Sequence, residues 1–123
     1  MKLKIGAFSI LIALSILLTA CSGEQPIDLD AVDAKLTTTP ETVTAGSPTK
    51  LHVEFEGMDV SETATVNFDI RIGEELELVD AAYEGDSVFG GTFTFPEKGI
   101  LTVYVHLYVD DIHITKKKWV EVK

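Results

Sequence analysis

Between Leu101 and Val109 every second residue is apolar: Leu101, Val103, Val105, Leu107 and Val109. Thr102, Tyr104, His106 and Tyr108 fill the places between them. A period of two, rich in β-branched and aromatic residues, specifies a strand with one face buried. Asp110-Asp111 then offers a two-residue turn, and Ile112 and Ile114 carry the apolar face onward. With that turn Val109 faces Ile112 and Leu107 faces Ile114. A slip of one residue would put every side chain on the wrong face, so the hairpin predicts its own register.

The other segments obey the same rule. Residues 32–39 alternate loosely and stop before Pro40, as an edge strand would. Residues 49–56 place Leu51, Val53 and Phe55 opposite Lys50, His52 and Glu54. Residues 63–72 place Val66, Phe68, Ile70 and Ile72 inward, with Asn67, Asp69 and Arg71 outward. Residues 74–82 fit either period, and we read them as a strand among strands. In 88–95, Phe89, Gly91, Phe93 and Phe95 share one face, and Gly90-Gly91 marks a bulge or a close backbone approach.

Seven short strands separated by turn signals predict an all-β domain, an antiparallel β-sandwich. The expected core is Leu36, Leu51, Val53, Phe55, Val66, Phe68, Ile70, Leu78, Phe89, Phe93, Phe95, Leu101, Val103, Val105, Leu107, Ile112 and Ile114. A charge at Val103 or Val105 should be the most damaging substitution.

The N-terminus reads differently. Lys2 and Lys4 precede an almost wholly apolar stretch at 5–18, the pattern of a secretory signal peptide over 1–20. The stretch is shorter than the ~20 residues of a spanning helix. Leu18-Thr19-Ala20-Cys21 resembles the bacterial lipobox, in which the cysteine is lipidated and becomes the mature N-terminus. Cys21 is the only cysteine, so no disulfide can form within one molecule. The resemblance implies diacylglycerol on Cys21, and two or three acyl chains anchor a protein stably to a membrane where one would be marginal. Residues 21–31 then form a flexible tether of about 15–20 Å, and the domain occupies 32–123. The expected location is extracytoplasmic, on the outer face of the cell membrane.

The formal net charge is −10, and the longest run of basic residues is Lys116-Lys117-Lys118. That excludes nucleic acid as a partner. Lysines on an edge strand discourage sheet-to-sheet aggregation, and a docking patch for an anionic partner is the alternative. No Gly-x-Ser-x-Gly elbow or Gly-rich phosphate loop occurs. We therefore expect no enzyme, but a monomeric binding or accessory module with an envelope protein as partner.

Gly85-Asp86-Ser87-Val88-Phe89, the run from Thr92 to Gly99, and Val103-Tyr104-Val105-His106 followed by His113 and a lysine-rich closing strand resemble the YtkA-like family of small bacterial lipoproteins, related to FixH-like domains. The resemblance covers residues 32–123. It implies an immunoglobulin-like sandwich outside the cytoplasmic membrane and no established reaction. Copper handling is suspected for members richer in His and Met. This chain reads Glu75-Leu76-Glu77 where such members often place His, and Ile114-Thr115 follow His113 without a Met.

The hairpin register puts His106 and His113 on the outer face in diagonal positions, with Cα atoms about 7–8 Å apart. Two imidazoles and the carboxylate of Asp69, on a strand expected beside the hairpin, could hold Cu²⁺ or Zn²⁺. The plainer reading is a pair of surface histidines. His52 belongs to the other layer. Tyr104, Tyr108 and Trp119 share the outer face and form the candidate partner surface, unless a loop covers them.

Overall fold

A computed structural model describes residues 28–123. The expected signal peptide, Cys21 and most of the expected tether lie outside the described residues. A single 3-10 turn, Leu29–Ala31, is capped by the Asp28 carboxylate, which accepts from the Asp30 N–H at 3.1 Å. Seven strands follow: β1 Asp33–Thr39, β2 Pro48–Glu56, β3 Thr65–Ile72, β4 Glu75–Gly85, β5 Val88–Thr94, β6 Gly99–Val109 and β7 Ile112–Val122. Among the described residues no helix is long and apolar enough to cross a membrane.

All pairings between strands are antiparallel, and the strands form one sheet in the order β1-β2-β5-β4-β3-β6-β7. The sheet wraps into a nearly closed barrel. β4 makes the corner. Its first part pairs with β3, from Glu75 to Ala81, and its last part with β5, from Ala82 to Gly85. Glu84 is the extra residue of a bulge, because Tyr83 pairs with Phe89 and Gly85 with Val88. The two free edges, β1 and β7, approach each other. Lys118 Nζ reaches Asp33 Oδ1 at 3.2 Å, and a parallel bridge joins Val43 to Val122.

The hairpin has the predicted register. Val109 pairs with Ile112, Leu107 with Ile114 and His106 with Thr115. Asp110 takes φ 51°, a conformation that Asp tolerates better than most residues.

The buried cluster contains Leu51, Val53, Phe55, Val66, Phe68, Ile70, Phe89, Phe95, Leu101, Val103, Val105, Leu107 and Ile114, as expected. Leu36, Phe93 and Ile112 pack against it half-buried. Leu78 is a correction, being 61% exposed. Directly paired residues share a face, and Phe68 and Val66 pair with Val79 and Ala81. The inward set of β4 is therefore Val79 and Ala81, while Leu78 stands outside opposite Asp69. Val43, Val60, Val120 and Val122 join the core from loops and the far end of β7.

Candidate functional site

The outer face of β4-β3-β6-β7 is a grid of paired residues. Tyr108 lies beside His113, His106 beside Thr115, Tyr104 beside Lys117 and Thr102 beside Trp119. On the other side of β6, Asn67 pairs with His106 and Asp69 with Tyr104. Strand alternation sends all of these side chains to the same surface.

Asp69 is the fixed point of this face. Its side chain is only 6% exposed. Arg71, two residues along the same strand, donates Nε to Oδ1 at 2.8 Å and Nη2 to Oδ2 at 2.9 Å. That forked contact is the main reason the carboxyl is held below its ordinary value, against the opposing effect of burial; the His106 contact adds to it. Arg71 also lies over the Tyr104 ring, with Cζ 5.2 Å from the centroid.

His106 stands between two partners. Its Nε2 is 3.3 Å from Asp69 Oδ2. Its Nδ1 is 3.2 Å from His113 Nε2 and 3.1 Å from Thr115 Oγ1. Thr115 Oγ1 is also 3.3 Å from His113 Nε2. The Tyr108 ring stacks on His113 at 4.2 Å between centroids, nearly parallel at 16°. The two histidines thus meet at the nitrogens, whereas Asp69 touches the opposite edge of His106. Among the described residues no group of three or more His, Cys, Asp or Glu is arranged to hold a metal ion.

Of the aromatic residues, Tyr108 is 40% and Trp119 64% exposed, while Tyr104 is half-buried under Arg71. Among the described residues no loop buries the indole. Trp119 sits between two grooves along the β1/β7 seam. One, about 580 Å³, is lined by Leu36, Thr38, Val43 and Val120 among others. The other, about 430 Å³, includes Ala34, Lys35, Glu56 and Lys117. Half-buried Lys116 and Lys118 alternate with exposed Lys117 along β7, and Lys118 reaches across the seam to Asp33.

His52 lies on β2 of the same wrapped sheet and not in a separate second sheet. Its Nδ1 is 3.0 Å from Glu84 Oε1 and its Nε2 3.2 Å from Thr39 Oγ1. Lys50 also pairs with Glu84 and is the first reason that carboxyl lies below its ordinary value. Arg71 and Thr115 were not legible as site residues. An Arg two residues after an Asp on one strand face is the one signal that could have pointed to the clamp.

No family model matches this sequence, and no curated protein matches it. Among solved structures it resembles a crystal structure of an engineered protein, at 18% identity and a TM-score of 0.55. The match covers 74% of this chain and 20% of that one. The likeness concerns the fold alone, and the chain spans about a fifth of the other's length.

Proposed function

We propose that this chain is a lipoprotein, exported and anchored outside the cell membrane by diacylglycerol on Cys21. Its domain serves as a non-enzymatic binding or accessory module. In this reading the wrapped sheet is an immunoglobulin-like sandwich of the YtkA-like and FixH-like kind, and its outer β6-β7 face docks an envelope protein. The observation that carries the docking reading is Trp119, 64% exposed and flanked by grooves on both sides. Large exposed aromatics of this sort are enriched at partner surfaces.

The anchor and the docking face are tested separately. Cells fed an alkyne-bearing fatty acid should label the wild type and not Cys21→Ser. Unlabelled wild type would overturn the anchor. A photo-crosslinking residue at Tyr108 or Trp119 should trap a discrete partner in living cells, and one at Glu54, on the outer face of the other half, should not. Equal trapping from both faces, or none from Tyr108 and Trp119, would overturn the docking face.

A further inference from the structure

We propose that His106 and His113 form a binding site for a divalent transition metal, Zn²⁺ or Cu²⁺, in which Asp69 positions His106 and is not itself a ligand.

The tautomer follows from the neighbours. Asp69 is pinned by two bonds from Arg71, and His106 Nε2 lies 3.3 Å from the same Oδ2 that Arg71 Nη2 contacts. A carboxylate oxygen can only accept, so the imidazole proton belongs on Nε2. Nδ1 is then left with its lone pair, and it points at His113 Nε2, 3.2 Å away. A neutral His113 can likewise carry its proton on Nδ1 and offer Nε2 as a lone pair.

Two such nitrogens match the bite of a metal ion. Zn–N bonds of about 2.0–2.1 Å at tetrahedral angles separate two ligand nitrogens by roughly 3.3–3.4 Å. The observed 3.2 Å needs almost no movement. Thr115 Oγ1, at 3.1 and 3.3 Å from the two nitrogens, completes a triangle of donor atoms on one side. The neutral hydroxyl is a poor ligand, and water fills the remaining positions from the solvent side. Tyr108 holds the His113 ring in place by stacking.

Asp69 takes the part a carboxylate commonly plays behind a metal-bound histidine. It accepts from the far N–H, fixes the ring and raises the basicity of the ligating nitrogen. With only two protein ligands the site is weak. Its selectivity comes from imidazole, which suits Zn²⁺ and Cu²⁺ over Ca²⁺ and Mg²⁺.

The test is calorimetric titration of the full lipidated chain in detergent with ZnCl₂ and CuCl₂. For Cu²⁺, electron paramagnetic resonance counts the coupled nitrogens. We expect one equivalent bound, two imidazole nitrogens, and at least tenfold weaker binding in both His106→Ala and His113→Ala. Asp69→Asn should weaken binding about 10–100-fold with two nitrogens retained. His113 is exposed, so its variant keeps the fold even if Asp69→Asn does not. No binding by the wild type, or equal binding by His113→Ala, overturns the site. Wild-type affinity in folded Asp69→Asn overturns the positioning role.

Discussion

Asp69 and Arg71 sit two residues apart on β3 and lock together through two parallel hydrogen bonds on the outer face of the sheet, at 2.8 and 2.9 Å. The carboxylate is buried and the guanidinium half exposed, so the pair is anchored at one end and wet at the other.

Its contribution depends on pH in a defined direction. The Asp69 carboxyl is held below its ordinary value of 3.8 when folded. The pairing therefore stabilises fully above that value and fades as pH falls through the lower, folded-state value. Asp69→Asn should cost about 1–2 kcal/mol at pH 7, and the gap to wild type should narrow below about pH 4. Urea unfolding at pH 7 and pH 3 measures both. A gap that widens in acid contradicts the assignment.

Gly90 and Gly91 are neighbours with different reasons for being glycine. A Cβ on Gly90 would meet the Glu84 carboxylate and Lys50 Cε, the mobile ends of two side chains. A Cβ on Gly91 would meet the backbone carbonyl of Asp80 at 2.9 Å and Val79 Cγ1 at 3.1 Å. Gly90→Ala should cost under about 1 kcal/mol and release Glu84 from His52, moving the His52 ring resonances. Gly91→Ala should cost about 1–3 kcal/mol. Thermal melts of the two variants should rank them in that order.

The parity of β4 can be checked with two truncations. Leu78→Ala removes an exposed side chain and should change stability by no more than about 0.5 kcal/mol. Phe68→Ala empties a fully buried site and should cost about 3–5 kcal/mol. Comparable losses from both would place Leu78 in the core after all.

Val103 is 0% exposed in the middle of β6. Val103→Asp leaves a charge without a partner among apolar side chains and should prevent folding. Loss of amide dispersion in a proton–nitrogen correlation spectrum reports it. The same change at Thr102, on the outer face, should keep a folded spectrum.

Where one face of a segment was cleanly apolar, the strand and its orientation were legible in advance. Leu51, Val53 and Phe55 on β2 and the whole β6-β7 hairpin are such cases. β4 was not, because Leu76 and Leu78 on one parity compete with Val79 and Ala81 on the other. Its pairing with Val66 and Phe68 resolves the choice, and that pairing is information β4 does not carry. Val43 and Val60 were missed for a related reason. They lie outside regular strands and are buried only because distant segments close over them, Val60 through its N–H to Ser87 Oγ at 2.9 Å. In the candidate site, the meeting of His106 with His113 followed from a two-residue turn. The roles of Asp69, Arg71 and Thr115 did not.

By itself the sequence determined that this protein is all-β, where its strands run, and that His106 and His113 share a face. Side-chain alternation and tight turns are local, and neighbouring residues suffice to specify them. Only the tertiary structure decided that the strands join in one wrapped sheet and that β4 turns Val79 inward. It also decided that Asp69 backs His106 across 37 residues of chain. Pairing between distant strands depends on how all the apolar faces are buried together, and no single segment contains that choice.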